Sequence, residues 1–455
     1  MDKIISKNKV IISFVVGLLL LVGCDEKEWP TDPLDLTRPL VVTTSPEDGS
    51  IMNPVSEPIT VTFTNEMNLS SVSAFTIVTD GHDNVVPGSW SGSGVTYTFK
   101  PTTAFSNLAL YNVTMKGAFS PEGVWLGTGV SDGNGNSMQN ETSLSFSTEG
   151  NYGSEPIYLG SGNEGAAFGV VNDFEVSDFE NYPGEGMQSI ASHPAGTFVY
   201  CGSMDNSKLI VINVATNTVS AEISMPDGVE GPRTVAVTPD GSEVLVACVW
   251  SMDLVVVNTA DNSISATISL ADYAGDINYM TVNNAGTRAY ITTSWDQGLI
   301  IVDLQSRTVL EYLDGIADDN AMNIAVSADD SKIFLFVAWV EEEIVIIDAN
   351  NTANTRKMSL GSGGDGWKVA VDGDFIYASG RWEGNIYKIN MTDESFIETN
   401  VGWDLRGIAV DNSGEVVYSI SPSYDDEGAI LILNASDLVL LGAIPAGNYR
   451  DMVTP

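Results

Sequence analysis

The chain has 455 residues, 43% of them apolar, enough to bury a substantial core, but only 17% charged, with 60 Asp plus Glu against 19 Lys plus Arg for a formal net charge of -41. That balance excludes nucleic acid as a partner, along with any anionic surface held through a basic face. The two histidines, His82 and His193, are too few for a multi-histidine metal centre or for most imidazole-based acid–base catalysis.

Lys3, Lys7 and Lys9 precede an apolar run from Val10 to Val22. The run is short for a bilayer span and of the size of a signal-peptide core. It ends in Leu21-Val22-Gly23-Cys24, which resembles a bacterial lipobox. The resemblance implies a signal peptide over 1–23, cleavage before Cys24, and attachment to a membrane through acyl chains on that cysteine. An uncleaved anchor helix is the other reading. Asp25, Glu26 and Glu28 resemble the acidic signals that send some lipoproteins to the cell surface, which implies an outer-membrane or surface location. Over 24–40 acids alternate with prolines, predicting an extended, solvated tether.

From 41 to 150 short β-branched and aromatic runs are separated by Gly, Asn, Asp and Pro, the pattern of an antiparallel sandwich. Ile59 to Phe63, Val95 to Phe99 and Leu144 to Phe146 alternate strictly, so each presents one face to a core. No helical period is visible. Ser45-Pro46-Glu47-Asp48-Gly49, Glu66-Met67-Asn68, Tyr97 to Pro101, Tyr111 to Val113, Asp132 to Asn136 and Leu144 to Thr148 together resemble a bacterial Ig-like family common in surface proteins. The resemblance implies a spacer or adhesion module. Asp132, Asn134 and Asn136 have the spacing with which a calcium loop begins, but Ser143 stands where the bidentate acid belongs, which favours a plain turn over a Ca2+ site. His82 reads as a loop residue.

The region 151–455 is repetitive. Apolar runs ending at Asn172, Asn213, Asn258, Asp303, Asp348, Asn390 and Asn434 recur every 41 to 45 residues. A second marker, a short strand centred on Ile190, Val235, Met280, Ile324, Val369, Ile408 and Met452, keeps nearly the same spacing. Each unit holds four strand-like runs and no helix, which predicts an all-β fold: an Ig-like sandwich followed by a seven-bladed β-propeller. One blade is predicted to join both ends of the region, its inner strand coming from the C-terminal segment. Arg233 to Gly241 followed by Leu254 to Asn258 is the clearest likeness to YVTN-type repeats of surface-layer-like propellers. Asp329-Asp330 departs from the Pro-Asp-Gly turn of that repeat. Cys201 and Cys248 lie in apolar runs and read as two buried thiols, although an extracytoplasmic compartment would permit pairing.

An up-and-down blade places the turn between its second and third strands on the same face as the link to the next blade. Trp250, Trp295, Trp339 and Trp382 fall in or near those turns, Trp367 and Trp403 in the links, with Tyr424 and Met204 at comparable places. The indoles either pack between blades or form an aromatic platform for a glycan or peptide. Acids beside them, Asp253, Asp296, Glu341, Glu383, Asp404 and Asp425, would bind hydroxyls or a divalent ion, or form a solvated rim. At the entrance to the inner strands stand Gln188, Arg233, Asn278, Met322, Trp367, Arg406 and Arg450, predicted to encircle the channel. Their arginines suit a ligand carboxylate or, equally, neighbouring acids. The favoured function is a non-catalytic envelope module binding a glycan, peptide or protein, with no cofactor, a Ca2+ ion at the Asp132 turn being the lesser reading. A lactonase-like hydrolase or lyase using carboxylates is the alternative.

Overall fold

The computed structural model describes residues 38–119, 124–150, 156–160, 169–172, 175–178, 189–273, 275–293, 297–317, 320–337, 343–361, 366–380, 384–402, 404–421, 428–446, 449 and 451–455. The signal segment, Cys24 and most of the tether lie outside them. The described chain divides into two compact units. One holds Ser56–Ala104, Tyr111–Ser145 and the described residues before Gly49; the other holds Gly49–Val55, Phe105–Leu110 and Phe146–Pro455.

Two four-stranded sheets form the Ig-like region: Val41–Ser45, Ile59–Phe63, Thr96–Pro101, Gly88–Ser93, and Ser50–Asn53, Thr142–Thr148, Leu110–Met115, Thr76–Asp80. Alternation in Ile59–Phe63 places Ile59, Val61 and Phe63 in the core and the two threonines between them at the half-buried face. A helix the residue pattern did not reveal, Leu69–Phe75, precedes Thr76–Asp80. Seven residues are too few to display a 3.6-residue period. Its start is set by Asn68, whose side chain accepts from the amides of Ser70 and Ser71.

Asp132 explains the Gly/Asn-rich turn. Its Oδ1 accepts from the amides of Asn134 and Asn136, at 2.9 and 2.8 Å, and its Oδ2 from the Asn136 and Asn65 amide groups. Burial pushes this carboxyl up, but the Asn136 side-chain and backbone bonds outweigh it and hold the group below its ordinary value. The loop thus satisfies its acid with its own N–H groups. His82 donates its amide to Asp80 in an exposed turn.

From Ile157 onward the described strands form seven four-stranded antiparallel sheets. Six are consecutive meanders, starting with Ile190–Ser192, Pro232–Val237, Met280–Val282, Ala321–Val326, Gly366–Asp372 and Ile408–Val410. In the remaining sheet the first strand is Asp451–Val453, which pairs with Ile157–Gly160 through Met452 opposite Leu159, ahead of Gly169–Asn172 and Glu175–Asp178. Each first strand contacts that of the next sheet, and Asp451–Val453 contacts both Ile408–Val410 and Ile190–Ser192.

Burial follows strand position. In the sheet starting at Pro232, the second strand Glu243–Cys248 is buried along nearly its whole length, while the fourth, Ile264–Ser269, is mostly exposed. Middle strands therefore read as continuous apolar runs, because neighbouring sheets cover both their faces. Leu245, Ala247, Leu254 and Val256 pack with Ala289, Ile291, Ile300 and Val302 of the following sheet. Fully burying each such Leu, Ile or Val contributes about 1.5–3 kcal/mol.

Tight turns after the first strands link adjacent sheets. In Thr238 to Ser242, Gly241 takes φ +71°, and Asp240 accepts from the Thr238 and Ser242 hydroxyls. His193 of the preceding sheet lies against that glycine: its Nδ1 accepts from the Ala195 amide and its Nε2–H donates to the Gly241 carbonyl at 3.1 Å. At the departure from the repeat, Asp330 fills the glycine position with φ +59°. Its carboxylate accepts from the amides of Asn284 and Ala285 and from the Asn283 and Asn284 side chains of the sheet before. A hydrogen-bonded contact between sheets thus replaces the glycine.

Cys201 and Cys248 are buried and not bridged. Burial pushes the Cys201 thiol well up and the Cys248 thiol up to about 12, with Asp451 and Asp253 adding in the same direction.

Candidate functional site

Backbone hydrogen bonds locate the turn and link loops. The Val249 amide donates to Gly231, Leu270 to Met252, Ala317 to Gln297 and Val401 to Gly384. Turns between second and third strands therefore meet the links between sheets on one face. Trp250 lies there with 56% of its surface exposed. Its indole rests on Gly231, where a Cβ would come within 2.8 Å of the ring, and Gly231 has φ +75°. The glycine lets the ring come close to the backbone, while over half of the side chain stays exposed.

Trp295, Trp339, Trp382, Trp403, Tyr424, Gln188 and Arg450 lie outside the described residues, as do Asp296, Glu341, Glu383 and Asp425. Trp367 belongs to the first strand Gly366–Asp372.

The described entrance residues turn toward their own neighbourhood. Arg233 Nη1 lies 3.5 Å from Asp276. Arg406, 5% exposed, holds Asp404 through Nε at 2.7 Å and Nη2 at 3.1 Å. Asn278 donates its side-chain amide to the Ala321 carbonyl and packs on Met322, both buried. None of these lines the axial cavity.

That cavity, about 520 Å³, is lined by first-strand residues of all seven sheets, beginning one residue beyond the entrance position in six of them and at Ile408, two beyond Arg406, in the other. Ser189, Thr234, Tyr279, Asn323, Lys368 and Asp451 form its polar level. Lys368 Nζ donates to Asp451 Oδ2 at 2.8 Å and sits 4.5 Å from the Tyr279 ring centroid. Asp451, 1% exposed, also accepts from the amides of Ile190 and Met452. Burial drives the Asp451 carboxyl above its ordinary value despite the ammonium beside it. For Lys368 burial acts downward, but attraction to Asp451 wins and the ammonium is held.

Lys368 and Asp451 were missed in sequence because they stand 83 positions apart in different repeats; the shared offset of one residue after Trp367 and Arg450 was the available signal. The lining continues to Asp372, Asp411, Asn412 and Thr454, in the turns and at the chain end on the side opposite Trp250. The lining therefore extends toward the turns on the side that carries His193, away from the turn that holds Trp250.

Fold and site define a two-unit all-β protein, an Ig-like domain with a propeller-like array of four-stranded sheets. Residues 35–148 match the family described as bacterial Ig-like domain. Among solved structures, hydrazine synthase of Kuenenia stuttgartiensis is similar at 16% identity and a TM-score of 0.47, covering 59% of this chain and 90% of that one. The structure of U3-55K aligns at 10% identity and 0.48, covering 59% and 84%, and the RRP9 WD40 repeats at 11% and 0.48, covering 59% and 83%. No curated protein matches the chain. Among the described residues no helix is long and apolar enough to cross a membrane.

Proposed function

We propose that this chain is a lipid-anchored envelope protein, held at the outer membrane or cell surface through Cys24. Its Ig-like domain spaces a closed, seven-bladed, YVTN-type propeller that binds a glycan, peptide or envelope protein without catalysis. The contacts linking consecutive first strands, and the pairing of Asp451–Val453 with Ile157–Gly160, support closure. The observation that carries the binding role is Trp250: an indole over half exposed and braced on a glycine backbone is an organised apolar surface lacking a cover. Two groups able to carry a proton, His193 and Asp451, are engaged in the fold: both His193 nitrogens are held in a turn, and Asp451 holds two amides and an ammonium.

A glycan and peptide array with residues 41–455 tests this, comparing the parent with Trp250→Ala and with Trp339→Ala/Trp382→Ala. Loss of binding in Trp250→Ala is the expected result. A ligand bound equally by all three proteins would remove the aromatic platform. Metabolic labelling with a fatty acid, lost in Cys24→Ala, tests the anchor.

A further inference from the structure

The axial cavity contains polar groups that the fold leaves unused. Thr234 is 1% exposed and lines the cavity, yet its hydroxyl has no hydrogen-bond partner among the described residues. The half-buried Tyr279 also lines the cavity, and no described residue hydrogen-bonds its hydroxyl. Ser189 Oγ accepts from the Val235 amide, leaving its own proton available. Lys368 uses one of three ammonium protons on Asp451.

Charge selects the class of ligand. Lys368 and Asp451 offset each other, so the polar level is close to neutral. Asp372 and Asp411 stand on the way in, and the chain as a whole carries -41, both of which disfavour an anion. Hydroxyl groups that donate and accept, spread around a volume within the usual 300–1,000 Å³ of small-molecule sites, suit a ligand rich in hydroxyls. We propose that this cavity is a binding site for a small neutral polyhydroxylated molecule of mono- or disaccharide size, entered from the face opposite Trp250 and held by Ser189, Thr234 and Tyr279 beside the Lys368–Asp451 pair. The site is separate from the tryptophan rim and stands whether or not that rim binds a ligand.

Calorimetric titration of the purified chain with glucose, galactose, cellobiose and sodium glucuronate provides the test. A neutral sugar is expected to bind, with affinity falling about 25-fold in Thr234→Val/Tyr279→Phe, since each of the two lost hydrogen bonds is worth about fivefold. Leu310→Ala, at an exposed position of the outer strand Thr308–Leu313, should leave that affinity unchanged. The single variants Thr234→Val and Tyr279→Phe serve if the double variant does not fold. Failure of every neutral sugar to bind at millimolar concentration overturns the proposal, as does binding of glucuronate alone. Binding that survives the cavity variants but is lost in Trp250→Ala would place the sugar on the rim instead.

Discussion

Replacing Lys368 with Met should destabilise the protein far more than the loss of one hydrogen bond. The substitution leaves the Asp451 carboxylate, 1% exposed, without its cation, although the amides of Ile190 and Met452 still reach it. Removing one member of a buried pair costs about 3–5 kcal/mol, because the remaining charge stays desolvated. In the double variant Lys368→Met/Asp451→Asn the orphaned charge is gone and most of that loss should return. The pH dependence has a definite sign. Burial already holds the Asp451 carboxyl above 3.8, and removing the ammonium raises it further. The folded variant therefore binds a proton more readily than the unfolded chain, so its deficit grows as pH rises from the unfolded value to the folded one, by about 1.4 kcal/mol per unit, and shrinks as pH falls. Urea unfolding of parent, single and double variants between pH 5 and 8 measures this. A loss below about 1 kcal/mol at pH 7, or a double variant no better than the single, would refute the assignment of an uncompensated buried charge.

Three further outcomes follow from the turns and the buried thiols. Asp240, Asp261, Asp303, Asp329 and Asp393 are held below their ordinary value by hydrogen bonds within their turns, Asp329 down to about 2. Their contribution is present above the unfolded value and lost as pH falls from 4 toward 2, so thermal midpoints should drop in that window, less steeply in Asp329→Asn. Asp330→Gly should be milder than Asp330→Ala by about 1 kcal/mol in chemical denaturation, since both lose the bonds to Asn283, Asn284 and Ala285 but only glycine accepts the positive φ freely. A thiol reagent should leave Cys201 and Cys248 unmodified at pH 8 in the folded protein and label both in urea; fast labelling without denaturant would contradict their burial.

Much of this architecture was legible because it is periodic. Middle strands such as Glu243–Cys248 are apolar throughout and fourth strands are not, so the repeat declares itself in hydrophobicity alone. Ile59–Phe63 declares its sheet face through strict alternation. What escaped depends on single side chains meeting across distance. Lys368 and Asp451 look like ordinary surface charges until the first strands converge. Asp330 looked like a broken turn, whereas its carboxylate replaces a glycine with a bond to the neighbouring sheet. The Leu69–Phe75 helix rests on one capping asparagine and has no period to detect. The entrance arginines show the limit of reasoning by position: Arg233 and Arg406 are where the repeat puts them, but acids in the adjoining loops, Asp276 and Asp404, hold their guanidinium groups.

Pairing of Asp451–Val453 with Ile157–Gly160 also bears on how the molecule comes into being. A polypeptide made from its N-terminus leaves Ile157–Gly160 with an unmatched edge throughout the synthesis of nearly three hundred later residues. Contacts of such sequence separation form slowly, and exposed strand edges meanwhile invite pairing with other chains. Synthesis of Asp451–Val453 thus decides when that hazard ends, and a nascent chain stalled shortly before this segment would keep the edge of Ile157–Gly160 open to other chains.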